Sequence, residues 1–386
     1  MTPPSSFETA KNARAAAVRD VTCRLFQDTN EMAAAGGARW AAYAQQRAQG
    51  TLHSHPGWLA VLAKGLRHEP YCVEAMADGH VVGLLPLCYV RSLLFGRFLV
   101  SLPYLNTGGV LADDEDIARA LIDHAVELAD QLKVRYLELR HEQPIEHPAL
   151  TKTLTSKIHM RLALPDPSEQ LWKDFAPKVR NQIRKGEKAE LAVHWGGLEL
   201  LDEFYAVFAQ NMRDLGTPVF GRRLFKSILL QFQDMLCVVR YKGRPIAGGL
   251  LVYGSRVTEV PGASSLRSYN ATNANMLMHW HFLQRAIAQG QRVFDFGRSS
   301  RNSNIPFQMT VGRRTPAGRL AVLRTRGKCQ RYAIGEWQVR PPRAHLASAA
   351  GARDALARAG DHSWSTMRRT QHLYWPTKGD RRLCDA

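Results

Sequence analysis

Several patterns that mark whole classes of protein are missing from this sequence of 386 residues. The six cysteines are scattered, with neither a Cys-x-x-Cys pair nor a histidine cluster at ligand spacing, so we expect no structural zinc and no thiol redox centre. Residues 1–20 lack the apolar core of a secretory signal. The best candidate membrane span, residues 81–105, is interrupted by Arg91 and Arg97. These absences predict a cytoplasmic protein.

Signatures of covalent catalysis and of dinucleotide binding are also missing. No Gly-x-Ser-x-Gly elbow occurs and no cysteine has an activating context, so we do not expect nucleophilic catalysis. Gly108 and Gly109 form a flexible turn without the Gly-x-Gly-x-x-Gly pattern of a phosphate cradle. What is present is an ordinary globular composition, 45% hydrophobic and 22% charged, with a length that suggests two or three domains.

Positive charge is concentrated at one end of the chain. Residues 301–386 contain 17 Lys and Arg against 5 Asp and Glu, whereas residues 1–300 contain 35 against 29. Because the excess is local and no helix-turn-helix, zinc-finger or RNP-like motif occurs, a sequence-specific nucleic-acid reader is not favoured. We interpret residues 309–386 as an Arg-rich irregular tail with a helical stretch at 342–359, and residues 1–22 as a disordered N-terminus.

The two halves of the remaining chain share a pattern. A turn at Gly79 between two apolar strands is matched by a turn at Gly243, and a helix leading into a strand that ends at Arg140 is matched by one that ends at Arg298. The two spacings are similar, 164 and 158 residues. The pattern therefore predicts an α/β (α+β) fold of two tandem lobes, each a mixed, mainly antiparallel sheet with flanking helices.

We place the lobes at residues 23–165 and 166–308. Early in the second lobe, apolar residues recur every four positions, which indicates an amphipathic helix, and Pro177 is expected to begin its second piece. The opposite face carries Arg180 and Arg184 one turn apart. Two guanidinium groups so placed can hold a phosphate or a carboxylate, and the alternative is a solvated charged face.

Several segments resemble the FemAB-like branch of the GNAT acyltransferase superfamily. In the second half these are KVRNQIRK, NMRDLGTP and FDFGRS, and in the first half LPYLN and YLELR. Within that branch the sequence is most similar to FemAB-related proteins associated with PEP-CTERM/exosortase and exopolysaccharide systems. The resemblance implies tandem GNAT lobes and transfer of an acyl or aminoacyl group, from acyl-CoA or aminoacyl-tRNA, to an amine or a hydroxyl.

Acyl transfer needs an anchored donor, a path for the acceptor's proton and stabilisation of an oxyanion. We expect Arg298 and Ser299, which follow a strand directly, to lie at the reaction cleft, with Asp295 orienting them or accepting a proton. Glu259 in a strand-like run is a second candidate base. The alternatives are an aspartate that only caps the next turn and a glutamate that points outwards.

Asn211 and Arg213 precede a Gly-Thr-Pro turn that could carry contacts to the acceptor. The resemblance implies an envelope or polysaccharide precursor as acceptor, peripheral contact with membrane-bound biosynthetic machinery, and neither a metal nor a tightly bound cofactor. The alternative function is a degenerate, non-catalytic lobe pair that binds an anionic polymer or carrier.

The tail departs from the family after Phe307. Relatives have a lysine and a Gln-Trp-Gly-Ala run there, whereas this chain has Gln308 and TVGRRTP. Residues 310–316 can be encoded by codons that, when the reading frame is moved by one base, specify Gln-Trp-Gly-Ala-Glu-Pro. In the same shifted frame, residues 320–326 can specify Trp-Gln-Tyr-Tyr-Glu-Arg. We therefore hypothesise that the tail is frameshifted. The alternative is a divergent genuine tail.

Overall fold

The computed structural model describes residues 21–35, 37–47, 55–92, 95–141, 145–154, 157–232, 235–300, 322–323 and 329–333. Within these ranges the strands are β1 Thr22–Phe26, β2 Glu69–Ala77, β3 His80–Ser92, β4 Gly96–Val100, β5 Leu111–Ala112, β6 Tyr136–Leu139, β7 Lys152–Leu154, β8 Lys157–Ala163, β9 Leu191–Gly196, β10 Met235–Tyr241, β11 Arg244–Tyr253, β12 Val257–Ser265, β13 Val293–Ser300, β14 Val322–Leu323 and β15 Cys329–Ala333. The helices are α1 Thr29–Ala35, α2 Gly37–Gln46, α3 Gly57–Leu66, α4 Glu115–Gln131, α5 Ser168–Asp174, α6 Pro177–Glu187, α7 Leu201–Asp214, α8 Arg222–Phe232 and α9 Ala274–Ala288.

Local sequence signals account for most of these elements. The turns at Gly79 and Gly243 have left-handed φ of 77° and 78°, which glycine adopts without steric cost, and they close the β2–β3 and β10–β11 hairpins as expected. Pro177 stands in the first turn of α6, after α5 has ended at Asp174. The predicted interruption is therefore confirmed. Two further expectations fall outside the described residues. They are the disordered N-terminus, except for its last two residues, and the helix at 342–359.

The strands form two sheets with the same topology. The first has the order β1-β2-β3-β4-β6-β15-β7, with β5 beside β3, and the second has the order β9-β10-β11-β12-β13-β8-β14. In both, one parallel pair stands among antiparallel pairs: β4 with β6, and β12 with β13. The expectation of two tandem mixed-sheet lobes is confirmed.

The lobes exchange strands. β8 belongs to the first half of the chain but pairs with β13 and β14 in the second sheet. Reciprocally, β15 comes from the end of the chain and pairs with β6 and β7 in the first sheet. The sheets thus do not follow a boundary at residue 165, and the segment expected to be an irregular tail contributes a strand to each. The rest of that segment lies outside the described residues.

Apolar side chains pack in one layer between the two sheets and in one layer on the outer face of each sheet. An inner core joins the two sheets, for example Leu84 of β3 and Leu236 of β10, and includes α3 and α8, which pack on each other. The outer face of the first sheet is covered by α4, and the outer face of the second by α5, α6 and α9. We call the side of each sheet that faces this shared core its inner face. In the described part of the chain, every helix is too short or too polar to cross a bilayer.

Candidate active site

The parallel pair of the second sheet opens near its middle. Among the described residues, β12 and β13 are paired at three positions, the last of which joins Glu259 to Asp295. Both strands continue beyond this pair, and a register shift in the β11–β12 pairing bends β12 at the same place. The two strands therefore separate directly after two carboxylates.

Both carboxylates face the first lobe. Glu259 is opposite Val252, which belongs to the inner core, and Asp295 stands between Phe294 and Phe296, which pack in the outer core. Because side chains alternate along a strand and opposite residues share a face, Glu259 and Asp295 lie on the inner face. Glu259 is 4% exposed and Asp295 is 1% exposed. The alternative of an outward-pointing Glu259 does not hold.

Asp295 is fixed by two contacts. Arg161 Nε on β8 donates a hydrogen bond to Asp295 Oδ2 at 2.8 Å, and the Gly297 backbone N–H donates to Asp295 Oδ1 at 2.7 Å. Asp295 thus caps the turn at Gly297, whose φ is 86°, and is ion-paired at the same time. This arrangement orients the backbone that leads to Arg298.

Glu259 is contacted from the other lobe. Asn106, in the loop after β4, donates a hydrogen bond from Nδ2 to Glu259 Oε1. The same amide lies against Gly297, where a Cβ atom would be 3.1 Å from Asn106 Nδ2. The absence of a side chain at Gly297 therefore allows the first lobe to reach Glu259.

The loop that carries Asn106 is held by a second buried ion pair. Arg140 Nε is 3.0 Å from Glu138 Oε1, and Arg140 Nη1 donates to the Leu105 carbonyl at 2.7 Å. The Arg140 N–H donates to Ser101 Oγ at 2.7 Å. Neither these residues nor Arg161 were expected at the site, although LPYLN and YLELR are among the segments that carry the family resemblance.

Arg180 and Arg184 lie in the outer layer. Arg184 stacks on Trp172 at 5.5 Å from the ring centroid, and Arg180 Nη1 donates to the Lys173 carbonyl at 3.4 Å. The helix α6 that carries them packs on α9, which covers the outer face of the second sheet. We expected this helix to face the residues after Gly297 across a common cleft. The structure instead places it across the sheet from Glu259 and Asp295.

The C-terminal end of α6 lies near the start of α9. A Cβ atom at Gly186 would be 2.9 Å from Leu277 Cβ and 3.3 Å from the Asn273 carbonyl oxygen. The exposed Lys185 and Lys188 flank this contact in the sequence. The start of α9 follows β12 through a short 3-10 helix. The end of α6 that carries Lys185 and Lys188 therefore lies near the start of α9.

The other candidates are dispersed. Asn211 Nδ2 on α7 donates to Ser264 Oγ on β12 at 3.1 Å, beyond the separation point. Arg213 is 76% exposed and lies 3.9 Å from Asp214. Arg298 and Ser299 continue β13 in its pairing with β8, and their side chains lie outside the described part of the structure.

The buried thiols are unsuited to nucleophilic attack. Burial raises the pKa of Cys72, Cys88 and Cys237 far above neutral pH, so these thiols stay protonated. Across the described ranges, no three His, Cys, Asp or Glu side chains are grouped as they would be around a metal ion.

The comparisons with known proteins agree with this geometry. Residues 173–304 match the family model described as an acetyltransferase (GNAT) domain. The structure of FemX is 13% identical, with a TM-score of 0.60 over 81% of this chain and 97% of that chain. A tandem GNAT protein from the clavulanic acid biosynthesis pathway is 12% identical, with a TM-score of 0.51 over 82% of this chain and 100% of that one.

The chain has a FemX-like tandem GNAT fold. A conserved protein of unknown function from Bacteroides thetaiotaomicron shares it at 10% identity and a TM-score of 0.50, with 81% and 100% of the two chains covered. No curated protein sequence matches the chain. The GNAT domain match falls on the second lobe, which contains the separated strands, Glu259 and Asp295.

Proposed function

We propose that the protein is an acyl- or aminoacyltransferase whose reaction takes place in the second GNAT lobe. The observation that carries the proposal is the separation of β12 and β13 directly after Glu259 and Asp295, within the segment that matches an acetyltransferase domain. Separated strands leave backbone groups at the opening that can bind the donor and its carbonyl oxygen. The FemX-like fold supports the same assignment at the level of architecture.

Glu259 acts as the general base in this proposal. The acceptor nitrogen or oxygen attacks the donor carbonyl carbon, and Glu259 takes the acceptor's proton as the new C–N or C–O bond forms. The bond to the thiolate of coenzyme A or to the ribose oxygen of tRNA then breaks, and that leaving group takes up a proton. Asp295 is a positioning residue, because its capped turn sets the backbone at Arg298 and Ser299 beside the donor.

Acyl-CoA or aminoacyl-tRNA is the proposed donor. The N-terminus of α9 suits phosphate groups, since its first backbone N–H groups and the helix dipole favour anions. Arg180 and Arg184, with the exposed lysines at the end of α6, add positive charge on that side of the second lobe. Asn211 and Arg213 are proposed to contact the acceptor, an envelope or exopolysaccharide precursor of a PEP-CTERM type system, in the cytoplasm beside membrane-bound machinery.

The first test identifies the donor and the base together. Melting temperatures are measured with acetyl-CoA, a long-chain acyl-CoA and aminoacyl-tRNA, because only a ligand bound by the native state raises the melting point. We expect one donor class to raise it. Glu259→Gln should then lower the rate of transfer by about a hundredfold while the melting shift by the donor persists. No stabilisation by any donor, or an unchanged rate for Glu259→Gln, contradicts the proposal.

A non-catalytic binding protein is the second candidate. The exposed cations on α6 and the Arg-rich composition after residue 300 favour it. Stabilisation by an anionic polysaccharide, together with no response to any acyl donor, would support this function over the transferase.

A further inference from the structure

We propose that the first lobe completes the reaction site of the second: Asn106 is a positioning residue that holds the Glu259 carboxylate at the point where β12 and β13 separate. This inference deepens the proposed function and rests on it for the role of Glu259. The strap, which we define as residues 101–106, is the segment of the first lobe that reaches across. Asn106 Nδ2 donates to Glu259 Oε1, and the two residues are 153 positions apart in the chain.

The contact has a defined orientation. The Asn106 amide is placed between the Glu259 carboxylate and the backbone of Gly297, where even a Cβ atom would be only 3.1 Å from it. A carboxylate on a strand can rotate about its side-chain bonds, and a donor fixed to one oxygen removes that freedom. The second sheet thus supplies the carboxylate, and the first lobe sets its direction.

The two lobes differ at the position of Glu259, whereas the neighbouring carboxylate is present in both. In the first lobe the last parallel pair joins Val100 to Glu138, and in the second it joins Glu259 to Asp295. Glu138 and Asp295 occupy equivalent positions, and each is ion-paired with a buried or nearly buried arginine. The position of Glu259 is occupied by a valine in the first lobe. The strap therefore contacts a carboxylate that has no counterpart at the equivalent position of the first lobe.

The strap is held in an unfavourable backbone conformation. Leu102 has a φ of 46° and Tyr104 a φ of 73°, in the left-handed region that bulky side chains disfavour. The contacts of Arg140 with Ser101 and with the Leu105 carbonyl keep the strap in place. Strained backbone of this kind persists where surrounding contacts over-determine it, and it clusters at functional sites. Here it delivers Asn106 to the other lobe.

Among the described residues, two ion pairs belong to the elements that make the contact. Asp295 on β13 and Arg161 on β8 lie on the same inner face as Glu259, and Glu138 and Arg140 hold the strap from the first lobe. Neither ion pair includes Asn106. Loss of the amide therefore acts on Glu259 without removing a charge.

The first arm of the test is spectroscopic and needs no activity. In the full chain, the side-chain amide of Asn106 is followed by ¹H–¹⁵N NMR and assigned with Asn106→Ala. We expect Glu259→Gln to move its proton resonance upfield, because a hydrogen bond to a charged acceptor is stronger than one to a neutral amide. Tyr43→Phe, which removes a buried hydrogen bond to Val82 in the first lobe, should leave it unchanged. An unmoved resonance in Glu259→Gln overturns the proposal.

The second arm measures hydrolysis of acetyl-CoA and of aminoacyl-tRNA, with water as the acceptor. Asn106→Ala should lower kcat about tenfold with KM unchanged, and it should have no further effect in the Glu259→Gln background. Equal losses in both backgrounds overturn the positioning role, because a structural defect would not depend on Glu259. If Asn106→Ala fails to fold, the near-isosteric Asn106→Leu, which keeps most of the packing and cannot donate, replaces it in the cycle.

The two proposals fail in different ways. A normal hydrolysis rate in Glu259→Gln, with the NMR shift present, removes the base and with it the proposed function. A large loss in Glu259→Gln without coupling to Asn106 keeps the proposed function and removes only the role of Asn106.

Discussion

Two buried carboxylates stand side by side in the second lobe, and each accepts a hydrogen bond that fixes its direction. Asp295 meets a guanidinium group and a backbone N–H, so its negative charge is fixed in place by Arg161 and Gly297. Glu259 meets the neutral amide of Asn106. A neutral amide orients a carboxylate without neutralising its charge, which suits a group that has to accept a proton.

Replacing Arg161 tests how far stability depends on the Asp295 ion pair. Arg161→Leu leaves a carboxylate that is 1% exposed without its guanidinium partner. We expect the free energy of unfolding to fall by about 3 kcal/mol, because removal of one partner of a buried ion pair is strongly destabilising. Urea denaturation measures the loss.

Arg119 provides the matched control. It pairs with Glu115 and Asp116 on the surface of α4, with 44% of its side chain exposed. Arg119→Leu should change the stability by less than about 1 kcal/mol, since exposed pairs contribute little. If the two substitutions lower the free energy of unfolding equally, the Asp295 ion pair contributes no more to stability than an exposed pair.

At the scale of elements, the lobes meet through the packing of α3 on α8. A Cβ atom at Gly65 in α3 would be 3.0 Å from Leu224 Cα in α8, so the two helix backbones approach closely at this point. Glycine in the interior of a helix is unfavourable by about 1 kcal/mol relative to alanine. Its presence here is explained by the closeness of the other lobe.

A larger side chain at Gly65 should push the two helices apart. We expect Gly65→Val to lower the free energy of unfolding by about 2 kcal/mol, because overpacking forces the backbones to shift. Lys64→Val, at the neighbouring exposed position, controls for the helix propensity of valine. Urea unfolding of both variants is the measurement, and a Gly65 variant no less stable than the Lys64 variant would contradict the close approach.

At the scale of the whole molecule, the exchange of β8 and β15 makes each sheet depend on the other half of the chain. β15 is inserted between β6 and β7, so the first sheet is continuous only when the end of the chain is present. β14 covers one side of β8 in the second sheet. A change in the tail therefore acts on both lobes.

Truncation after residue 321 tests this dependence. We expect a lower melting temperature and faster hydrogen exchange of the β6 and β7 amides in the first lobe, because both strands lose the partner between them. The exchange of the β10 amides, which pair with β9 and β11, serves as the internal control. Unchanged protection of β6 would show that the tail strands do not contribute to the first sheet.

The frame of the tail is settled by the nucleotide sequence. The frameshift hypothesis requires that the coding sequence after Gln308 specifies the two family-like segments in the frame shifted by one base. If it does, a gene with the corrected frame should encode a chain with a higher melting temperature and a higher transfer rate. The reason is that the last strands would then carry the residues that the family pattern has at these positions. A coding sequence that does not specify those two segments in the shifted frame contradicts the frameshift hypothesis.

The sequence by itself determined the elements whose causes are local. Gly79 and Gly243 close hairpins, Pro177 separates two helices, and apolar periodicity places α4 and α9, because backbone conformation and side-chain period depend on near neighbours. The duplication was visible for the same reason, since each repeat has its own local pattern. Glu259 and Asp295 were recognised as candidates from their place in a strand.

Only the tertiary structure decided which residues meet. No local pattern links Asn106 to Glu259, or β15 to β6, because these contacts join segments more than a hundred residues apart. The place of Arg180 in the outer layer, away from Glu259 and Asp295, has the same reason: a charged helix face has a local signature, but the layer in which the helix packs is set by its apolar face, here against α9. Long-range contacts are decided by the burial of apolar faces over the whole chain, and adjacent positions in sequence do not encode them separately.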